Sequence, residues 1–416
     1  MKKNNRLKFN LKYLNSKDNL FAILLSVMLC RYTLFDYIRV IISKLPVINR
    51  FECLFFPVVY ILLFVLSYKK ERIKKIRLTD LLILLFFIFE ISLTYIFYPE
   101  NSLYIRRDLF KNIIPCIPFF LIGLTICLNI KTLNIVRYCS LLAILVTVLY
   151  LIFYIKTGRA LGGSHGENYS MYSSYILLPN TLITIDWSLC TKNIKIKLFA
   201  LLGIIYAFMI GTRGPIVIIF GFVIIYILLR AKVRTRIKVY ILAFTLILIL
   251  KLTNLFNIFL NILAEILERY NLSTRVLDFL IKGKMISHTS GRTLIYSRLI
   301  ELLKAKPLLG YGIYGEYPFG YLAGAHNVYL QVIFNFGCII GLILILGYTY
   351  VFIRALKKSR YSSYCGWVLS FGCLVYVRGI FGGAYLDYTV FFLLGLCLQI
   401  IRRKNVKRIK KSFYYL

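Results

Sequence analysis

Apolar runs of about 20 residues recur along the whole chain, and this feature constrains its fold more than any other. A helix of that length is long enough to cross a hydrocarbon core of roughly 30 Å. The chain is 60% hydrophobic and only 17% charged, whereas a soluble globular protein is roughly 45–50% apolar and about 25% charged. This composition excludes an ordinary soluble enzyme, a disordered chain and a disulfide-rich secreted domain. The sequence predicts an all-α, polytopic membrane protein.

We count about twelve such spans and treat residues 1–416 as a single membrane domain. The cluster Gly211-Thr212-Arg213-Gly214-Pro215 interrupts the apolar stretch 197–230, and its Gly and Pro residues predict a tight turn between two spans. The approximate limits of the predicted spans are 19–37, 51–68, 79–98, 112–129, 138–156, 171–189, 197–211, 213–230, 239–256, 327–353, 363–379 and 386–401.

The net charge of +37 would suggest a nucleic-acid binder in a soluble protein, but its distribution indicates membrane topology instead. Lys and Arg concentrate in the cytoplasmic loops of membrane proteins. If the N-terminus is cytoplasmic, alternating spans place every basic cluster on that side. We therefore expect both termini in the cytoplasm and no nucleic-acid partner. Seven segments hold 33 of the 53 Lys and Arg residues: 1–17, 69–77, 131–137, 192–197, 230–238, 354–360 and 402–411.

The ten cysteines give no sign of a disulfide framework or a metal site. All lie in or beside apolar runs, no CxxC pair occurs, and the long polar segment 255–325 contains none. The three histidines show no HxxxH or His–carboxylate spacing. We therefore expect neither a metal nor another cofactor.

Segment 255–325, between predicted spans nine and ten, is the long extramembrane loop, and we expect it on the extracytoplasmic side. It begins with an amphipathic stretch and continues with a second amphipathic helix, which Arg292 opens and Pro307 ends. A Gly- and Tyr-rich run, 310–317, closes it. Because long loops in compact proteins usually carry function, we expect a cap over a functional site. The apolar positions of the two helices are Ile258, Ile262 and Ile266, and Leu294, Ile295, Leu299, Leu302 and Leu303.

Three residues on the predicted outer side are candidates for chemistry. Arg213 sits in a Gly/Pro turn, where a guanidinium suits a phosphate; the alternative is an arginine that snorkels to the headgroups. Arg292 opens a helix whose N-terminal amides favour an anion; the alternative is an ordinary solvated arginine. His326 precedes span ten, where the helix N-terminus and nearby arginines disfavour the imidazolium and leave a general base. The alternative is a histidine that caps the helix.

Other polar residues on the predicted outer side are weaker candidates. Glu316 and Glu167 are possible alternative bases or sugar contacts, and tyrosines of the Gly-rich run, such as Tyr311, could stack on sugar faces. The remaining residues of this kind include Arg106, Arg107, Asp108, Arg159, Asn168, Arg378 and Asp387.

The motifs of this chain resemble those of the O-antigen ligases and the O-antigen or capsule polymerases, which are integral-membrane glycosyltransferases. Arg159 and Asn168 are similar to an arginine and a downstream asparagine that precede the family's sixth span, whereas Tyr296 stands where a tryptophan is expected. The resemblance rests on these motifs in this order: Gly211-Thr212-Arg213-Gly214, Gly291-Arg292, Pro307-Leu308-Leu309-Gly310-Tyr311-Gly312, Ala325-His326-Asn327-Val328-Tyr329-Leu330-Gln331 and Phe336-Gly337.

The resemblance implies a substrate carried on undecaprenyl pyrophosphate at the outer face of the bacterial plasma membrane, and metal-independent transfer of its glycan to a sugar hydroxyl. A flippase and a chain-length regulator are the expected protein partners. With the residues above, the predicted site comprises catalytic His326, Arg213 and Arg292, and substrate-binding Arg159, Asn168, Glu316, Asn327 and Tyr311.

Several activities remain open from the sequence. We favour a polymerase of lipid-linked repeat units, because polymerases are the more diverse group within this family, over a ligase that moves finished glycan to another acceptor. A transporter or flippase would usually show two similar halves with polar groups near the midplane. A cell-wall polymerase of the shape, elongation, division and sporulation family would be expected to use an outer-loop aspartate. Asp278 is the only one in 255–325.

Overall fold

A computed structural model describes residues 76–126, 130–157, 171–209, 213–230, 255–270, 274–282, 292–320 and 324–403, with a few isolated positions within 22–26 and 237–245. The described residues are helical and include no strand, which confirms the predicted all-α class. Predicted span 51–68 lies outside the described residues, and spans 19–37 and 239–256 lie almost entirely outside them.

The first half of the described chain forms seven α-helices. A short 3-10 turn, Pro99–Asn101, separates the first two, and a π-helical stretch, Leu109–Ile113, separates the second from the third. The helices are α1 Leu78–Phe97, α2 Ser102–Asp108, α3 Ile114–Thr125, α4 Ile130–Thr157, α5 Met171–Cys190, α6 Ile194–Met209 and α7 Arg213–Arg230.

The second half contains three helices from the predicted loop, followed by one long and two shorter apolar helices. The break between α6 and α7 falls at the predicted Gly/Pro turn. The helices are α8 Leu255–Arg269, α9 Arg275–Ile281, α10 Arg292–Ala305, α11 Val328–Ser359, α12 Cys365–Phe381 and α13 Tyr388–Arg402.

Four of the described helices are long and apolar enough to cross a membrane, and each overlaps a predicted span. Three shorter helices, α3, α12 and α13, are also apolar. The chain is therefore a helical membrane protein, and the count of about twelve spans stays a prediction. The four segments are Leu78–Phe97, Ile130–Leu149, Arg213–Arg230 and Val328–Ser359.

The closest helix packing joins α3 to α13 through two glycines. A methyl group on Gly123 would overlap the carbonyl of Phe392, and one on Gly395 would overlap the carbonyl of Phe120. Small residues let membrane helices approach until their backbones touch, which maximises van der Waals contact. This crossing links the two largest buried clusters, which together contain side chains from α1, α3, α7, α11, α12 and α13.

An ion pair fixes one end of the helix bundle, which we call the Arg402 end. Arg402 at the last turn of α13 donates from its two terminal nitrogens to Asp80 in the first turn of α1, both at 2.5 Å. Asp80 also accepts from the backbone N–H of Arg77 (2.9 Å) and is fully buried. The start and the end of the described chain are therefore held together there.

The opposite end of the bundle, which we call the His326 end, is shaped by a break in α11. Gly337 adopts φ +76° in the middle of that helix, and a methyl group there would overlap the carbonyl of Leu308. The break frees backbone groups that the preceding loop satisfies: Tyr311 N–H donates to Phe334 O (3.0 Å) and Cys338 N–H to Pro307 O (2.7 Å). Irregular backbone is tolerated at this depth only when protein covers it.

The Gly- and Tyr-rich loop is also bound to the end of α1. The Tyr98 hydroxyl donates to Gly310 O (3.0 Å), and the Asn101 amide donates to Tyr311 O (2.8 Å). Thr94 accepts from the N–H of Ile313 (3.0 Å).

The loop also reaches well below the start of α11. It contacts Gly337, which lies nine residues into α11, about 14 Å from the start of that helix at 1.5 Å per residue. This loop therefore enters the bundle instead of lying above it.

The two amphipathic helices of the predicted loop are present, but each differs from the sequence prediction in one respect. In α8 the isoleucine stripe Ile258, Ile262 and Ile266 faces outward, because Leu260 and Leu267 on the other side pack against α9. In α10 Leu299 is fully buried, as the pattern predicts. Leu294, however, is 76% exposed. We therefore correct its assignment to the apolar side, because α10 packs through its second half.

Candidate active site

His326 lies in a short turn between the Gly- and Tyr-rich loop and α11. Its backbone has φ +52°, a left-handed conformation that costs a non-glycine residue free energy and persists only where the surroundings impose it. On one side Ala325 is buried beneath α10. On the other, the Asn327 side chain accepts from the N–H of Leu330 (3.1 Å) and caps α11. The turn is therefore fixed at both of its ends.

Helix α10 brings Arg292 to this turn. The predicted helix begins at Arg292, and one turn later the Tyr296 hydroxyl donates to the backbone carbonyl of His326 (3.4 Å). Farther along, Leu299 packs in a buried cluster with Ala325 and Phe334. Tyr296 is the residue that stands in place of the expected tryptophan, and its hydroxyl makes the contact that ties the two segments.

The surroundings keep the His326 imidazole neutral. Its pKa is lowered from the ordinary value, chiefly because burial disfavours the charged ring and further because the positive charge of Arg292 opposes protonation. An unprotonated imidazole is a proton acceptor at neutral pH. The structure therefore brings two of the three predicted catalytic residues together and sets the protonation state that a general base needs.

Arg213 is the first residue of α7, where the sequence predicts the turn. The next residue, Gly214, lies against the hydroxyl of Tyr175 from α5, which a methyl group on Gly214 would overlap. The guanidinium of Arg378, at the last turn of α12, lies 5.0 Å from the centre of the Tyr175 ring. Three helix ends therefore meet beside Arg213.

Arg378 also lies close to the turn that contains His326. Arg378 and its neighbours Gly379 and Gly383 line a cleft with Val328, the first residue of α11. A methyl group on Gly379 would lie 3.4 Å from the Val328 side chain. Val328 follows His326 by two residues. A continuous series of contacts thus runs from the Arg213 turn through Tyr175 and Arg378 to the His326 turn, so the three predicted catalytic residues belong to one end of the bundle.

Glu316 is completely buried at this end, and its carboxyl accepts from amides of α11. Gln331 donates to Oε1, and the Asn335 amide, oriented by its network, donates to Oε2 (2.9 Å) and accepts from the Tyr385 hydroxyl (3.2 Å). Burial raises the pKa of Glu316, and the amide hydrogen bonds partly oppose this. A methyl group on Gly324 would lie 3.7 Å from Oε1, so this carboxyl supports the turn that carries His326.

The other predicted substrate-binding residues use their polar groups in contacts within the chain. The Tyr311 hydroxyl donates to Leu302 O (2.8 Å), and its ring stacks on Phe334 with centroids 4.6 Å apart. Asn327 caps α11. Contact of Glu316, Tyr311 and Asn327 with a sugar stays a prediction. Arg159 and Asn168 lie outside the described residues.

Two residues of this end were not predicted as site residues. Arg378 was recognised only as a polar residue of the outer side, and Tyr175 was not singled out at all. Tyr175 gives no local signal, because it is one of 33 tyrosines in the chain. Within the described ranges, no group of three His, Cys, Asp or Glu residues is arranged to hold a metal ion.

The fold and this arrangement define a helical membrane protein with arginines and a neutral histidine gathered at one end. Residues 198–346 match the family model described as O-antigen ligase. The matched segment contains Arg213, Arg292 and His326. This segment is therefore similar to the O-antigen ligase family, which the motifs of the sequence also resemble. A comparison with curated proteins finds no match.

Proposed function

We propose that this protein is a membrane glycosyltransferase that joins undecaprenyl-pyrophosphate-linked oligosaccharide repeat units into O-antigen, capsular or exopolysaccharide. One observation carries the proposal: Arg292 and His326 lie side by side, tied by Tyr296, within the segment that matches the O-antigen ligase family. The reaction takes place at the outer face of the plasma membrane, and the lipid tails lie in the bilayer. The helices of segment 255–325 form the extracytoplasmic cap, its Gly- and Tyr-rich loop enters the bundle, and both termini lie in the cytoplasm.

The proposed chemistry is a single displacement at the anomeric carbon of the donor glycan. A sugar hydroxyl of the acceptor attacks that carbon, its proton passes to the unprotonated nitrogen of His326, and the bond to the diphosphate oxygen breaks. The diphosphate leaves with the electron pair. Arg213 and Arg292 stabilise the negative charge that develops on it, as pre-oriented cations do best in a site shielded from water. The residues supply the base and the charge stabilisation, so the proposed reaction is metal-independent.

A ligase that transfers finished glycan to another acceptor is the second candidate, because the matching family model is described as O-antigen ligase. Both activities would use the same residues. A deletion strain separates them. Loss of a polymerase leaves single repeat units on the final acceptor, whereas loss of a ligase leaves long chains on undecaprenyl pyrophosphate.

The deletion strain, complemented with the His326→Ala variant, tests whether the protein is instead a transporter. We expect the variant to reach the membrane, to leave export of lipid-linked oligosaccharide intact and to make no polymer. Export is measured by labelling lipid-linked sugars at the outer face, and polymer length by gel electrophoresis. Loss of export in this variant would indicate a transporter and overturn the proposed reaction.

A further inference from the structure

We propose that Arg378 and Asp387 form a sugar-binding subsite for a hydroxyl group of the lipid-linked oligosaccharide. The inference deepens the proposed function and rests on it for the identity of the ligand. The subsite lies at the last turn of α12 and the start of α13, and the motifs of the sequence do not include it.

The first argument is the incomplete bonding of the Arg378 guanidinium. One terminal nitrogen donates to Asp387 Oδ2 at 3.1 Å, and the face of the group lies 5.0 Å from the Tyr175 ring centre. These contacts fix its orientation. Its Nε is buried and has no hydrogen-bond partner among the described residues. A buried donor without a partner is costly, so we infer that a group beyond the described residues accepts from it.

The second argument is that space exists beside the guanidinium. A small open cleft with room for about one water-sized group is lined by Arg378, Asp387, Gly379, Gly383, Ala384 and Thr389. A methyl group on Gly383 would lie 3.9 Å from Nε, so a larger residue there would narrow the space beside Nε.

The charge balance of the cleft selects the ligand. Asp387 neutralises Arg378, so a second anion would meet a carboxylate 3.1 Å from the arginine. A hydroxyl group fits better, because it is uncharged and can accept from the Nε–H of Arg378, which points away from the Nη1 that bonds Asp387 Oδ2. The other carboxylate oxygen, Oδ1, already accepts from the N–H and the hydroxyl of Thr389 (2.8 and 2.6 Å). The neutralised arginine therefore presents one unused donor, the Nε–H, to an uncharged ligand.

The position of the cleft connects it to the reaction. Val328 lines it two residues after His326, and Tyr175 joins Arg378 to Gly214 beside Arg213. A glycan that reaches from the diphosphate toward His326 passes this cleft. Arg378 and Asp387 would hold one of its sugars, whereas Arg213 and Arg292 serve the diphosphate.

The test uses the full-length protein in lipid nanodiscs and two probes: the repeat-unit oligosaccharide released from its lipid, and inorganic pyrophosphate. The first variant is Arg378→Lys, which keeps the ion pair with Asp387 but has no second donor in the position of Nε. We expect oligosaccharide affinity to fall about tenfold to a hundredfold, the loss typical of one hydrogen bond to a charged group. We expect pyrophosphate affinity to stay unchanged. With lipid-linked substrate, KM should rise by a similar factor while kcat and its pH profile stay the same.

The matched control is Arg402→Lys, which changes the arginine–aspartate pair at the opposite end of the bundle and should leave both affinities unchanged. Arg378→Gln is the second variant, and its folding is checked by gel filtration. The assignment is overturned if the unaltered protein does not bind the oligosaccharide, or if Arg378→Lys binds it normally. It is also overturned if Arg378→Lys loses pyrophosphate instead, which would make the cleft a phosphate site. Binding of free oligosaccharide needs no catalysis. The binding measurement therefore tests the subsite even if the proposed transfer reaction is wrong.

Discussion

Two of the arginine–aspartate pairs, Arg402–Asp80 and Arg378–Asp387, lie at opposite ends of the bundle and differ in how completely they are bonded. At the Arg402 end, Asp80 accepts from both terminal nitrogens of Arg402 and from a backbone N–H, and it is fully buried. At the His326 end, Arg378 gives Asp387 one hydrogen bond and keeps a buried donor beside a cleft. The first pair is saturated and closes the bundle. The second leaves capacity for a ligand.

The comparison teaches that an ion pair in a membrane protein cannot be assigned a role from its residue types. Buried pairs contribute stability only when their remaining donors and acceptors are satisfied. The Arg402 pair meets this condition, so its removal should affect folding. The Arg378–Asp387 pair does not meet it, because Arg378 Nε has no partner among the described residues. At the same end, the strained φ of His326 and the break at Gly337 cost free energy that the rest of the fold must supply. Changes at this end should affect the reaction first.

The largest effect that we predict is on catalysis at the His326 end. His326→Ala should slow transfer by about 10²- to 10⁴-fold, because general base catalysis typically contributes that factor. The rate is measured with purified protein and lipid-linked substrate, and insertion is checked by membrane fractionation. A fully active variant would falsify the base role.

The next effect should appear as stability at the Arg402 end. Arg402→Gln leaves Asp80 buried without its charge partner and should lower the free energy of unfolding by about 3–5 kcal/mol. Transfer per folded molecule should be unchanged. Denaturant unfolding in nanodiscs gives the free energy. The control is Arg298→Gln, which breaks an exposed pair with Glu301 and should change little. If Arg402→Gln lost transfer without losing stability, the division between the two ends would be wrong.

A smaller effect should follow from changing the geometry of a cation while keeping its charge. Arg213→Lys replaces a planar fork with a point charge and should reduce the rate about tenfold to a hundredfold. Arg213→Ala should be slower still. Initial rates at saturating substrate measure both. Equal rates for the lysine variant and the unaltered protein would show that charge alone is required, in contrast to the bidentate contact at Arg402.

The smallest effect is a shift in pH dependence. The base form of His326 dominates above its lowered pKa, so the rate should fall as the pH drops through that value. Arg292→Gln removes one of the two causes of the lowering. The pKa of His326 should then rise, and the acidic limb of the residual activity should move to higher pH, but only in part, because burial, the larger cause of the lowering, remains.

The control for that experiment is Arg298→Gln on the same helix. Arg298 is exposed and paired with Glu301, so its removal should leave the acidic limb in place. An acidic limb that does not move in Arg292→Gln would mean that the charge of Arg292 does not act on the catalytic base.

Much of this protein is determined locally by its sequence. Apolar runs of sufficient length predict α1, α4, α7 and α11, and the Gly/Pro cluster predicts the break before Arg213. The start of α10 at Arg292 and its end before Pro307 follow from short-range signals. Helix limits depend on residues a few positions apart, so one sequence contains the information.

Tertiary structure decided what meets at the His326 end. Tyr175 and Arg378 lie far apart along the chain, and no local sequence pattern predicts that their side chains are in contact. The Phe336-Gly337 motif is visible in the sequence, but only the packing of residues 307–312 against it shows that Gly337 interrupts α11. Such contacts depend on which helix faces meet, a sum of many weak long-range interactions that hydropathy does not encode. The sequence by itself therefore determined the long apolar helices and the resemblance to a family, and three-dimensional packing decided the surroundings of His326.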